Sequence, residues 1–507
     1  MKKVIRISSL LYLLLITGTL IAQRTLLINN VNIVDGSGKP SLQGAVRIKD
    51  SIIIAVGKLS PLQTDSVING NGLTLTPGFI DTHSHHYGDL DTHPESIATN
   101  SQGITTIVIG QDGESETMDS IRSFLKRKPV AVNIATYTGH STLREKVLGL
   151  SNLNRPATLA EQHRMQTMLA AEMKKGSLGL STGLEYEAAF FSSTDEVVAL
   201  AKTAARYKGR YTSHIRSEDV TLDEAVNELL YIGKVTGMPI QFSHIKIGLK
   251  DKWGQSSSIL KRLDSARSAG IRITADVYPY DFWSSTLKVL FPDKNYASIA
   301  SAQFATEHLF DPRQSVLVRY APEIAYVGKT LSAIAQTRST NEASTLIELI
   351  RLANLFRADH PNFSGGVEAI AAKAMSAEDV HQFVGWDQAN LCSDGRAGGH
   401  PRGYGAFTKM LRVYVRERKQ LTLEQAIYKM TALSAEHAGI KKRGMIAPGY
   451  YADLVLLDPL TVADQADLAN ATSLSIGIQS VWINGRMTYS AKNGSLGAAR
   501  SGILLPR

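Results

Sequence analysis

Eight times between residues 78 and 394 a short apolar run ends in polar residues and gives way to a helix-patterned stretch, and few folds satisfy that rhythm. The runs are residues 78–85, 105–110, 130–136, 179–185, 210–215, 239–244, 272–278 and 389–394. Apolar residues at helical spacing fill intervals between them, such as 194–207 and 222–236. Strand and helix alternating in this way predict an α/β fold, a (β/α)8 TIM barrel. Residues 287–378 break the rhythm. They are too long for one connection, so an inserted helical lid or subdomain is expected after the seventh strand.

Residues 25–75 read differently, as short β runs divided by turn signals at Asp35-Gly36-Ser37-Gly38 and Asn69-Gly70-Asn71-Gly72. Residues 452–457 and 480–486 read the same way. Neither group can bury a core alone, so both termini are expected to build one small β-sandwich satellite, from residues 23–77 and 441–507, beside a barrel of residues 78–440. The first 22 residues carry Lys2, Lys3 and Arg6, then an apolar run from residue 10, the pattern of a secretory signal peptide. That run is shorter than the ~18 residues a spanning helix needs. The expectation is a mature chain in the periplasm or outside the cell, without stable membrane insertion. The formal net charge of +9 falls to +6 without those three residues. So mild a balance, with no basic cluster, argues against nucleic acid and suits a small anionic substrate.

Cys392 is the one cysteine, which excludes an intramolecular disulfide, a cysteine-rich zinc site and an iron–sulfur cluster. A metal would have to be held by imidazole and carboxylate. Those groups gather at strand ends: His83 and His85 on the first strand, Glu185 on the fourth, His214 on the fifth, His244 on the sixth and Asp394 on the eighth. Strand ends of a barrel share one mouth, and alternation along a strand points His83 and His85 the same way. Four imidazoles and two carboxylates converging there predict a divalent metal site suited to zinc, with one or two ions per chain. Lys246, two residues past His244, shares its face and would need an anion to meet it. Arg216 and Glu218 are expected to pair with each other, Cys392 to be a buried core thiol, and the glycine-rich residues 395–405 to form a mobile mouth loop.

The motif Pro77-Gly78-Phe79-Ile80-Asp81-Thr82-His83-Ser84-His85 and the GYYADLVLL of residues 449–457 resemble the amidohydrolase superfamily. Within it, GHSTLR at 139–144, LSTGLEY at 180–186, YTSHIRSE at 211–218, SHIK at 243–246, ADVYPY at 275–280, Ser393-Asp394-Gly395 and HPRGYGAF at 400–407 resemble the N-acyl-D-amino-acid deacylases. The resemblance implies that His83 and His85 bind one metal position, that His214 and His244 bind the other, and that Asp394 is catalytic acid and base. It implies that Tyr278 and Ser285 hold the substrate's α-carboxylate, with Lys246 and Arg402 as further candidates. One departure stands out: such deacylases place a cysteine ligand just after the second strand, where this chain has Gly110-Gln111-Asp112-Gly113. Glu185 is then the first choice for the bridging ligand and Asp112 the second. The implied reaction is hydrolysis of an N-acyl-D-amino acid bearing a free carboxylate. A dipeptidase or cyclic-amide hydrolase on the same scaffold, or a binding protein that has lost catalysis, are the alternatives.

Overall fold

The computed structural model describes residues 25–363, 365–494 and 499–507. The expected signal peptide lies outside the described residues. Parallel strands follow one another around a barrel in chain order: Phe79–Asp81, Ile104–Ile109, Asn133–Thr136 continued by Thr138–Gly139, Gly179–Gly183, Arg210–His214, Ile240–Phe242, Ile273–Val277 and Ala389–Leu391. The last strand returns to the first through a parallel bridge between Ser84 and Gly395 and the bond from Asp394 N to His83 O at 2.8 Å. Buried Asp81 reinforces this seam by accepting from Ser393 N at 2.8 Å and Ser393 Oγ at 2.5 Å.

Helices pack outside the strands, so the strand residues are buried on both faces and read as continuous runs without polar alternation. Helix Thr194–Arg206 illustrates the fit. Ser193 caps it by accepting from Glu196 N, and Val197, Leu200, Ala201 and Ala204 face the barrel fully buried. Burial of a side chain such as Val197 or Leu200 contributes about 1.5–3 kcal/mol.

Between the seventh and eighth strands the chain builds an antiparallel sheet of Phe282–Ser285, Glu368–Lys373 and Val316–Tyr320, flanked by helices that include Leu331–Thr337 and Glu342–Asp359. Leu290, Phe291, Phe310, Tyr320, Leu331 and Leu346 form a core of its own. The insertion is therefore mixed α/β, and its first strand starts at Phe282, ahead of residue 287.

The satellite is an eight-stranded sheet drawn from both ends of the chain, joined where Thr74–Pro77 pairs antiparallel with Leu454–Leu457. Alternation assigns its two faces. Leu454 and Leu456 join Ile28, Val31, Val46 and Trp482 in a separate cluster, whereas Val455 and Leu457 join the barrel's core. No helix among the described residues is long and apolar enough to cross a membrane.

Candidate active site

Asp112 lies at the centre of the barrel mouth. Its Oδ2 is 3.3 Å from His83 Nε2 and 3.3 Å from His85 Nε2, while its Oδ1 is 3.3 Å from His244 Nε2 and 3.9 Å from His214 Nδ1. Asp394 faces the first pair, with Oδ1 3.2 Å from His85 Nε2 and 3.6 Å from His83 Nε2. The ligand atoms of His83, His85, Asp112 and Asp394 lie within 4.8 Å of one another, as do those of Asp112, His214 and His244. One carboxylate thus belongs to both sets.

A tight turn aims it. Gly110 and Gly113 adopt φ of 75° and 81°, and a Cβ at Gly110 would stand 2.4 Å from Tyr137 O, one at Gly113 2.6 Å from Ser141 Oγ. Gln111 Nε2 donates to Thr82 O at 2.6 Å. Asp112, His244 and Asp394 themselves have φ of 54°, 37° and 47°. Left-handed backbone in residues with a Cβ costs about 1–3 kcal/mol each and persists where the surrounding fold enforces it. Here it occurs at three residues of one cluster.

Glu185 does not bridge the two sets. Its Oε2 is 2.8 Å from His214 Nε2, the ring nitrogen opposite the one that faces Asp112 and His244, so it reaches one imidazole from behind. Lys246 is also placed differently from expectation. Its Nζ donates to both oxygens of Glu218 at 2.7 Å and lies 2.7 Å from His244 Nδ1, so the anion that meets it belongs to the protein. Glu218 Oε1 is in turn 3.0 Å from His244 Nδ1. Arg216 pairs with Glu228 at 2.8 Å, not with Glu218. Cys392 is buried outside the cluster, and burial pushes its thiol well above the usual range. The residues expected as a mouth loop become helix from Arg402 onward.

The site is fit for a cation. Burial opposes the charge of Asp112, but His83 together with hydrogen bonds from His244, His83 and His85 holds the carboxyl well below its usual range. Asp394 is buried too, and Arg402, whose Nη1 is 2.8 Å from Asp394 Oδ2, leads the groups that keep it ionised. Burial alone would depress His85, but the hydrogen bonds it donates to Asp112 and Asp394 raise it to about 9. His214 Nδ1 and His244 Nε2 approach to 3.1 Å, where either one ring's N–H donates to the other or both lone pairs face a shared positive centre. Imidazole and carboxylate donors around such a centre suit zinc.

Two spaces open from the cluster. A smaller chamber of about 50 Å³ is lined by Tyr278, Lys246, Trp283, Val289, Leu290 and Leu309, among others. A wider cavity of about 250 Å³ includes His85, Asp112, Arg319 and Arg396 in its wall. Tyr186, Ser284, Ser285, Asp394 and Arg402 line both. The Tyr278 hydroxyl is buried and has no hydrogen-bond partner. Sequence reasoning missed Tyr186, whose ring lies 4.5 Å from that of His214, and the part Glu218 plays. Both sit inside motifs already singled out, Tyr186 directly after Glu185 and Glu218 four residues past His214.

Comparison with known proteins gives concordant matches. Residues 334–489 match the model of an amidohydrolase family. The chain is 31% identical to the N-acyl-D-aspartate deacylase of Alcaligenes xylosoxydans xylosoxydans, over 96% of this chain and 95% of that one. It is 32% identical to that organism's N-acyl-D-glutamate deacylase, over 89% and 91%. The crystal structure of N-acyl-D-glutamate deacylase from Bordetella bronchiseptica, complexed with zinc and a phosphonate inhibitor that mimics the reaction's tetrahedral intermediate, superposes with a TM-score of 0.83 at 29% identity, covering 95% of this chain and 99% of that one.

Proposed function

Since the chain belongs to the N-acyl-D-amino-acid deacylase family of the amidohydrolases, we propose that it is a zinc-dependent hydrolase that cleaves the amide of an N-acyl-D-amino acid to a carboxylate and a free D-amino acid. The observation that carries this reading is the convergence of His83, His85, His214 and His244 on Asp112, with Asp394 beside them. In this reading His83 and His85 hold one metal position, His214 and His244 the other, and Asp112 is the carboxylate common to both. Glu185 orients His214 from behind, and Lys246 with Glu218 does the same for His244.

An amide is a poor electrophile and neutral water a poor nucleophile, so the site must improve both. Zinc, when bound, supplies Lewis acidity that lowers the pKa of water toward ~7 and polarises a carbonyl oxygen. Asp394 takes the proton of the attacking water and returns it to the amide nitrogen, which leaves as an amine and not as an anion. Arg402, on the other carboxylate oxygen of Asp394, fixes the orientation of that base. The unpartnered Tyr278 hydroxyl, Ser285 and the Arg402 guanidinium receive the substrate's free α-carboxylate and set which enantiomer presents its amide to Asp394.

The basic and then apolar character of residues 1–22 supports export, so the mature enzyme works in the periplasm or outside the cell. A panel of N-acetyl-D- and N-acetyl-L-amino acids, D-dipeptides and hydantoins tests the reaction. Release of free D-amino acid from the N-acetyl-D compounds is the expected result. Turnover of dipeptides or hydantoins alone would overturn it.

A further inference from the structure

The N-terminal ends of the barrel strands frame a further cavity, at the end of the barrel remote from the histidine cluster. It encloses about 190 Å³, and Tyr137, Arg210, Arg267, Arg272, Gln388 and Glu436 are among the residues that line it. Arg210 opens the fifth strand, whose last residue is His214, so four steps of about 3.3 Å, roughly 13 Å in all, separate the two. Arg272 immediately precedes the seventh strand, Gln388 the eighth, and Arg267 comes from helix Ser256–Ser268. None of these residues takes part in the reaction proposed above.

Three guanidinium groups share this space, and among the described residues none of them forms an ion pair. Arg267 Nη1 donates to Ile273 O at 2.5 Å and Arg272 Nη2 to Gly237 O at 2.6 Å, neutral acceptors that fix each fork and leave its charge unanswered. The half-buried Arg210 guanidinium has no hydrogen-bond partner among the described residues. Burial first, and then the neighbouring Arg272, disfavour the charge on Arg210, which Tyr137 and Glu436 offset only in part. His437, on helix Ala432–Ala438, feels the same field: burial and then Arg210, Arg267 and Lys429 hold its pKa down at about 3, so its ring stays neutral. Glu436 is the one acid among the lining residues, and it is exposed. Positive charge gathered in this way at the end of a barrel that serves stability is costly unless an anion answers it.

We propose that the base of the barrel is a binding site for a small phosphate-type dianion, inorganic phosphate or the phosphate group of a small monoester, held by Arg210, Arg267 and Arg272 with Gln388 and Tyr137 as neutral donors. The three guanidinium groups come from a strand start, a helix and a linking segment, so they meet a ligand from several sides. A tetrahedral phosphate offers oxygens in all those directions, whereas a planar carboxylate is matched by one fork. Bound there, the dianion offsets the mutual repulsion of the arginines and ties together the starts of the fifth, seventh and eighth strands. It stabilises the folded chain without touching the mouth.

Titration calorimetry of the zinc-loaded protein with inorganic phosphate, glycerol 3-phosphate and succinate reads this site independently of the reaction. A saturable isotherm with one or both phosphate compounds is expected, with a Kd of about 1 mM or below, and the tighter of the two identifies the form the site takes. Arg272→Gln, at an exposed position that folding does not depend on, should weaken it by at least about tenfold, the loss of a charge-assisted hydrogen bond. Succinate, a dianion with planar groups, should bind at least about tenfold more weakly than phosphate. Melting temperatures give a second reading. In phosphate-free buffer Arg210→Gln should melt no lower than the wild type, because it removes an unanswered half-buried charge, and it should lose the rise in melting temperature that phosphate gives the wild type. Absence of saturable binding would overturn the proposal, and so would equal affinity for succinate. Binding that both variants retain unweakened would place the anion elsewhere, and an Arg210→Gln protein that melts lower without phosphate would make Arg210 a purely structural residue; either result also overturns it.

Discussion

At the scale of single residues, Asp112, the second choice of sequence reasoning for the bridging position, lies between the two histidine pairs, and Glu185, the first choice, stands behind His214. Strand ends are the usual origin of barrel site residues, which favours Glu185, and a carboxylate in a turn reads as a turn former. What overrides this is packing. Glycines at 110 and 113 let the turn press against Tyr137 and Ser141, so Asp112 is held as firmly as a strand residue, and no count of residue types reveals that. Asp112→Ala should therefore bring bound zinc below one ion per chain. Glu185→Ala should keep its metal with affinity weakened by about 10- to 100-fold, the usual effect of losing a group that orients a ligand. Metal content by elemental analysis after gel filtration decides, and the opposite ranking would return the bridge to Glu185. The four histidines and Asp394 were legible because each stands at a strand end. The engagement of Lys246 by Glu218 was not, since it depends on how the segment after the fifth strand folds back over the sixth.

Elements outside the site depend on a buried polar knot that the GHSTLR motif marked without explaining. Glu196, on helix Thr194–Arg206, lies 2.9 Å from His140 Nε2 and accepts from Arg144 Nη1 at 2.6 Å, both on helix His140–Leu148, and from Ala157 N at 2.9 Å. Burial opposes its charge, yet the hydrogen bonds from His140, Ala157 and Arg144 bring the carboxyl from 4.5 down to about 2. A carboxyl lowered by folding stabilises the protein fully above its unfolded value and loses that contribution as pH falls from about 4.5 through about 2. At 1.36 kcal/mol per unit the knot contributes about 3 kcal/mol at neutral pH. Glu196→Gln should cost roughly 3–5 kcal/mol, because Arg144 stays buried without its counter-charge, and should leave kcat of the folded protein unchanged. Thermal melts of both proteins at pH 7 and pH 4 check this, and equal melting temperatures would contradict it. Periodicity located these helices, but it could not reveal the sheet of the insertion, whose strands pair across gaps of many residues and carry no repeating signal.

The whole molecule makes one object of three parts. The satellite sheet exists because the two chain ends meet, and it is fastened to the barrel by Asp453, which pairs with Arg443 and accepts from Asn133 Nδ2, on the third barrel strand, at 3.1 Å. The insertion supplies one wall of the mouth, and the barrel supplies the imidazoles and carboxylates of the cluster. The eightfold alternation and the β character of both ends were readable from pattern alone, because each follows from local periodicity. The division of the mouth into a small chamber and a wide cavity was not, because it arises where the insertion meets the barrel. What would join these parts in function is metal held around Asp112, which in the proposed reaction enables amide hydrolysis. That role is tested most directly by measuring zinc content and hydrolysis of an N-acetyl-D-amino acid on one preparation as purified, after chelation and after zinc is restored. One or two zinc ions per chain and turnover are expected to be lost together and to return together. Undiminished turnover by protein stripped of metal would contradict it.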